Sequence, residues 1–494
     1  MSPVFFALLV SAFSLLCLYL YLKHNYSKRN GIPTVKGCVP LVGHMLPVIL
    51  KRMNFSEFIR LVHEEHKDRS MVAIYKGTRP VLIVRDPNLV KIVLQSNFSN
   101  FHENGRKVPL GVDPLLSKHP LFTYGETWST GRKRLTYAFS NVRLKTLFAA
   151  VSEVCKKFED FLNGRLKTSN KYEVDMKMLF PRFTGEILAN GCLGIEGNCF
   201  KDEAGASAFH SLAGIIFAKS LGTINTFHYP DINRLLKFRF LPKSMDTFFR
   251  KVVRENLKIR RNDSTLGNDF FRLIIDLEET GDETDEERVM AHVVSLYLDG
   301  TETSSITLNF ISHDLAANPE IQEKLRKEVR STIEKHDGLT FEALKDMTYM
   351  NQVISESQRL RSAVGYLSKI CTEEFELQGS DGLTYRIKPG MEVDISIFGL
   401  HTDPNWVNPN AFDPERFNER KQTIEKMTFL PFNVGLRRCV GMRMALFQNK
   451  TCLATLLSNY KLELSPRTQL PLKVSPYSIL SESIGRNWVY ISEL

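Results

Sequence analysis

The chain has 494 residues, 43% hydrophobic and 24% charged, enough to bury a large core and more than one typical domain holds. Its formal net charge is +10. The basic residues are spread along the chain without zinc-ligand spacing or an RNA-binding signature, which favours an anionic membrane or an acidic protein over nucleic acid as partner. Its eight cysteines form no CxxC pair and no dense framework, so a reducing compartment is favoured over a disulfide scaffold.

Residues 3–22, "PVFFALLVSAFSLLCLYLYL", carry no charge. At ~1.5 Å per residue this run covers roughly 30 Å, one bilayer core. Lys23, Lys28 and Arg29 follow it and no charge precedes it. The positive-inside rule then places the residues after the run in the cytosol. A cleaved signal peptide is the competing reading, but its apolar region is normally about 7–15 residues and ends at a small-residue cleavage site. A transmembrane signal anchor over 3–22 is predicted. Residues 23–44 are basic and then rich in Pro and Gly ("GIPTVKGCVPLVGH"), which reads as a stiff linker. Residues 45–494 form the body.

Short apolar runs at 70–93, broken by "KGTRP" and "RDP", predict strands and turns. From about 128 to 375 most of the chain reads as helix. The clearest is "DETDEERVMAHVVSLYLDGTETSSITLNFISHDLAANPE" (282–320), with an acidic first turn and a stop at Asn318-Pro319. It is too polar for a membrane span and lacks heptads, so it is expected to cross the middle of a large domain. Strands and turns return at 375–398, and "MRMALFQNKTCLATLLSNY" after Cys439 is again helical. The fold class is mainly α: a single large helical body with small β-sheets, preceded by a transmembrane helix.

"PFNVGLRRCVGM" (431–442) contains F-x-x-G-x-R-x-C-x-G as Phe432, Gly435, Arg437, Cys439 and Gly441. A lone cysteine is ordinarily a small buried hydrophobe. Five fixed residues at this spacing, however, arise by chance in fewer than about one in ten thousand such chains. The pattern suits a thiolate that ligates haem iron. Backbone N–H donors and a nearby cation keep the sulfur deprotonated. Glycines permit close backbone approach. Arg437 has the forked donors a haem propionate takes, and Phe432 shields the sulfur.

On these residues the sequence resembles the microsomal cytochrome P-450 family of haem-thiolate monooxygenases, and its texture resembles the insect detoxification-type members. The resemblance runs from the anchor to the last helix. It implies haem b with Cys439 as the iron ligand, and NADPH and flavins only through a reductase partner. Three further motifs occur in the family's order. "ESQR" and "FDPERF" supply Glu356, Arg359 and Arg416, the family's structural triad; ExxR alone is as readily a surface i,i+3 ion pair. "WSTGR" supplies Trp128 and Arg132, the family's propionate partners. "DGTETS" (299–304) supplies Glu302 and Thr303, the acid–alcohol pair that passes protons for O–O cleavage.

Four features depart from the family. Asp299 stands where Ala or Gly is usual, on the helical face of Thr303. Lys369 stands where many relatives have an Arg to a propionate, and a Lys is a point charge rather than a fork. Ser129 replaces a usual Lys or Arg, and "RLRSAVG" (359–365) lacks the usual prolines. These bear on substrate preference and turnover more than on haem binding.

By resemblance the pocket draws on residues 101–124 and 208–240, on Leu296, Asp299 and Thr303, on Val364 to Leu367, and on the turn at Ser481–Ser483. Phe217, Phe227 and Leu235 are candidates for bedding the body on the bilayer. The expected partners are NADPH-cytochrome P-450 reductase, with cytochrome b5 as an additional donor, a lipophilic small molecule and the membrane. Arg132, Lys133, Arg134, Arg437, Arg438 and Arg443 are the expected basic docking face. The expected site is the endoplasmic reticulum membrane, single-pass, with the catalytic domain cytosolic. The alternatives are a haem-thiolate isomerase or dehydratase and a haem-binding pseudoenzyme.

Overall fold

The computed structural model describes residues 3–106, 108, 111–202, 209–212, 221–262, 269–280, 283–419 and 424–494. Its first element is the helix Pro3–His24, none of whose 22 residues is buried. This is the one described helix long and apolar enough to cross a bilayer. The segment after it is docked on the body rather than extended. The Ser27 N–H donates to the Tyr75 hydroxyl at 3.0 Å, and the His44 N–H donates to the Tyr75 carbonyl at 2.8 Å.

The body is mainly helical, with two sheets of more than two strands among the described residues. The larger runs Met71–Lys76, Arg79–Val84, Glu392–Ser396, Tyr366–Ile370 and Glu103–Asn104 in that spatial order. The first two strands form an antiparallel hairpin, Arg79–Val84 pairs parallel with Glu392–Ser396, and the other pairings are antiparallel. The smaller sheet joins Tyr460–Leu464, Trp488–Glu493 and Tyr172–Asp175. Several details differ from the sequence reading, Tyr172–Asp175 among them, a strand inside the stretch read as helical. "RDP" begins a short helix, because Asp86 caps it and Pro87 sits at its first position. Tyr366–Ile370 is a strand inside the stretch read as helical, since its neighbours on both edges supply its hydrogen bonds.

The central helix is Glu286–Ala317, 32 residues. Asp285 caps it by accepting from the Arg288 N–H, Glu286 and Glu287 favour its positive end, and Asn318 and Pro319 stop it. From Val289 to Ala316 every residue is buried except Asp299, Gly300 and Thr303. Those three share one face, so the middle of the most buried helix opens onto an interior space at a single place. The helix Met442–Asn459, the helix Met176–Glu186 and the ExxR helix Thr348–Leu360 pack against it.

Candidate active site

The ExxR residues build the floor of the site. Glu356 and Arg359 are fully buried and bonded twice, at 2.7 and 2.8 Å. Arg416 donates to Glu356 at 3.2 Å. The remaining donors of Arg359 reach the carbonyls of His401, Pro409 and Ala411, and those of Arg416 reach Val407 and Asn408. Three side chains thus fix the irregular backbone before the cysteine loop. Breaking one member leaves a charge buried and unpaired, at about 3–5 kcal/mol. Arg359→Leu is expected to give protein that does not retain haem, with a lowered thermal midpoint of the fraction that folds. Unchanged melting would show that the triad is dispensable.

In the loop, the Cys439 N–H donates to the Phe432 carbonyl at 2.8 Å. Gly435 has φ +69°, and a Cβ there would collide with the Leu94 carbonyl, so its need for glycine comes from that close approach. Gly441 precedes the helix Met442–Asn459 and lies against the sulfur, where a Cβ would sit 4.0 Å from Sγ. The Cys439 side chain is accessible although protein surrounds it, because it borders the interior space. Burial, and then the Asp299 carboxylate, push its thiol up to about 11, while the Gly441 and Met442 N–H groups and Arg132 act the other way. Cys439 and Asp299 therefore face each other electrostatically across the space.

Cations gather around the loop, Arg132 among them in electrostatic reach of the sulfur. Arg437 is buried, and its guanidinium lies 3.9 Å from the centre of the Trp128 ring. It donates to the carbonyls of His102, Pro120 and Thr123 at 3.0, 3.2 and 3.0 Å, leaving one N–H on each terminal nitrogen. Burial and then Arg132 lower it to about 10. Lys369, also buried, donates to Asn104 Oδ1 at 3.0 Å, and burial followed by Arg437 lowers its ammonium to about 7. Half-buried Arg132 feels both Cys439 and Arg438. Like charges gathered in a desolvated place favour an anionic guest.

The acid–alcohol pair is split between two environments. Thr303 borders the space, its hydroxyl donating to the Asp299 carbonyl. Glu302 is buried behind it. Burial and then Glu482 push the Glu302 carboxyl up to about 7, and Lys177 opposes them. Glu482 is ion-paired with Lys177 at 2.6 Å, and Lys177 is half-buried.

The comparisons agree with this geometry. The Cytochrome P450 family model matches residues 33–486. The chain belongs to the cytochrome P450 family. Its relatives include cytochrome P450 6a2 of Drosophila melanogaster, 31% identical over 98% of this chain and 99% of that one. Cytochrome P450 9e2 of Blattella germanica is 29% identical over 98% and 97%. Cytochrome P450 6d1 of Musca domestica is 28% identical over 95% and 96%. It is a cytochrome P450 monooxygenase related to insect P450s, and the family implies haem iron with a cysteine thiolate.

The residues present fit that group. An accessible thiol, N–H donors around it and convergent cations are the donor set for a metal-bound macrocycle with carboxylates. Two members of the expected docking face do not serve this P450 in that way. Arg437 is buried, and Arg134 is half-buried and paired with buried Glu278. Lys133, Arg438 and Arg443 are exposed and Arg132 is half-buried.

Of the expected pocket residues, Leu296 is buried, and Val364 and Leu367 are half-buried, Leu367 against the core of the larger sheet. Val364 packs on Ile306, Phe310, Ala363 and Leu480, and the Ser481 N–H donates to Ala363 at 2.9 Å. The segment after ExxR, the C-terminal turn and the central helix therefore converge. Of the proposed bilayer residues, Phe227 is buried core, Leu235 is 80% exposed, and Phe217 lies outside the described residues. Parts of 101–124 and 208–240 also lie outside them.

Sequence reasoning missed His119 and Gln448. Gln448 is buried and donates to the Gly300 carbonyl at 3.0 Å and to Ser304, joining the central helix to the helix after the cysteine. His119 lies within 101–124, but nothing in the spacing marks it.

Proposed function

We propose that this P450 is a membrane-anchored monooxygenase that puts one oxygen atom from O2 into a lipophilic small molecule, a xenobiotic, steroid or other hormone-like lipid. The observation that carries the reading is the one opening in the central helix, Asp299, Gly300 and Thr303, opposite the accessible Cys439. Electrons come from NADPH through NADPH-cytochrome P-450 reductase, with cytochrome b5 as an additional donor. Lys133, Arg438 and Arg443 are the exposed cations for an acidic docking face. Haem, when bound, supplies the iron that activates O2. Cys439 would ligate it, and Trp128, Arg132, Lys369 and Arg437 would hold its carboxylates. Phe432, Gly435 and Gly441 shape the loop. Leu296, Asp299, Val364 and Leu367 border the substrate, while Thr303 and Glu302 hold and move protons. A carbon monoxide difference spectrum, followed by NADPH consumption with reductase and without it, tests the reading. A thiolate spectrum with no reductase-dependent consumption would sink it.

The anchor Pro3–His24, followed by Lys28 and Arg29, supports a single pass in the endoplasmic reticulum with the body in the cytosol. The sequons at Asn25, Asn54, Asn97, Asn262 and Asn449 are then expected to stay unmodified. Asn54 and Asn449 are buried, and the side chain of Asn262 lies outside those described, so Asn25 and Asn97, both half-buried, are the informative ones. A mass shift on glycosidase treatment that maps to Asn97 would overturn the topology.

A further inference from the structure

Asp299 is 58% exposed at its side chain, yet it stands mid-way along a helix that is otherwise buried on both sides of the opening. Apolar groups flank it, with Leu296 one turn away and Phe122 beside His119 at 5.5 Å between ring centres. A carboxylate in such a place is costly unless something pairs with it.

Its partners are built rather than accidental. His119 is 1% exposed, and its Nε2 lies 3.4 Å from Asp299 Oδ2. The His119 Nδ1 accepts from the Leu121 N–H at 3.0 Å, which assigns the proton of the neutral ring to Nε2 and aims it at the carboxylate. Burial lowers the proton affinity of His119, so this ring is a neutral donor near pH 7. The Ser295 hydroxyl donates to the same Oδ2 at 3.3 Å. Both recorded donors thus serve one oxygen. Oδ1 has no donor among the described residues. The cation in electrostatic reach is Arg106. Its guanidinium lies over the rings of Phe227 and Tyr366, at 4.7 and 5.0 Å, and makes no ion pair with Asp299.

We infer that Asp299, oriented by His119 and Ser295, anchors the cationic end of a lipophilic substrate, an organic ammonium with an extended apolar body. The carboxylate keeps one oxygen for the guest while neutral donors hold the other, so the site presents negative charge to the same space as Cys439. A small residue at this position could not do so. The inference rests on the monooxygenase reading for what happens next, but recognition itself needs no turnover.

The test uses full-length, haem-loaded protein and two probes of nearly equal shape: trimethyl(4-phenylbutyl)ammonium and its neutral carbon isostere, 5,5-dimethylhexylbenzene. The quaternary cation has no lone pair, so it cannot ligate iron. Both are measured by equilibrium dialysis without NADPH, and the ratio of their affinities is compared between proteins, so that partition into detergent cancels. The ratio in wild type is expected to favour the cation by at least about tenfold over the ratio in Asp299→Asn. Asp299→Glu is expected to keep most of the preference. If Asp299→Asn fails to load haem, Asp299→Ala, which restores a small residue, takes its place. His119→Ala is expected to reduce the preference without abolishing it, as fits a positioning residue. The same ratio in wild type and in the uncharged variant overturns the inference. A protein that prefers the cation yet consumes no NADPH with reductase would overturn the monooxygenase reading and leave the recognition standing.

Discussion

Cys439→Ala is expected to abolish the red-shifted Soret band of the reduced carbon monoxide complex. The thiol borders the space faced by Asp299, with the Gly441 and Met442 N–H groups and the Arg132 cation favouring its ionised form. No other cysteine can stand in. Cys155, Cys192, Cys199, Cys371 and Cys452 are buried elsewhere in the fold, Cys17 is in the anchor, and Cys38 is in the segment after it. Thiolate donation is what shifts the band and favours O–O cleavage, so NADPH-dependent product is expected to vanish with it. Cys452→Ala, 13 residues on, tests that the effect belongs to one sulfur and is expected to keep the band. A thiolate band surviving in Cys439→Ala would show that the ligand is another residue.

The cysteine loop was legible because its chemistry is local. Eight consecutive residues hold Phe432, Gly435, Arg437 and Cys439 together, so their spacing survives in the sequence. The central helix was legible for a related reason: Asp285, the acidic first turn and Pro319 mark its ends within one or two turns of the chain. The triad needed more. Glu356 and Arg359 are one turn apart, but Arg416 joins them from 57 residues beyond Arg359, and only the resemblance connected them. The functions of single side chains were legible least. Arg437 reads as a propionate fork, yet three of its donors are used by the carbonyls of His102, Pro120 and Thr123. Those partners lie more than 300 residues away, and no spacing reports a backbone carbonyl. The strand Tyr366–Ile370 was lost for the same reason, since its hydrogen bonds come from Glu392–Ser396 and Glu103–Asn104. His119 and Gln448 carry no motif at all. Their roles exist only because the fold sets them against Asp299 and Gly300.

Thr303→Ala is expected to keep the haem spectrum and substrate binding while product formation falls by about 10²-fold and electrons pass to peroxide, since proton transfer help is worth about 10²–10⁴-fold. Thr303 is the hydroxyl at the opening, and Glu302 is the buried acid one residue away. With its carboxyl pushed up to about 7, Glu302 can both hold and release a proton near neutrality, and the Lys177–Glu482 pair lies within its electrostatic reach. Glu302 is protonated below about pH 7 and loses that proton above it. Product formed per NADPH should therefore decline as pH rises through about 7 in wild type, and Glu302→Gln should be low and flat across the same range. Asp299→Ala separates the two carboxylates. Asp299 borders the space but leans on His119 and Ser295 rather than on a path to solvent, so its removal should change coupling less than Thr303→Ala does. If Asp299 has taken over proton delivery, that order reverses. The measurement is product and peroxide per NADPH for wild type, Thr303→Ala and Asp299→Ala, on one substrate. Equal coupling in all three would remove the relay from the mechanism, because neither the hydroxyl nor the carboxylate facing the space would then control where the electrons go.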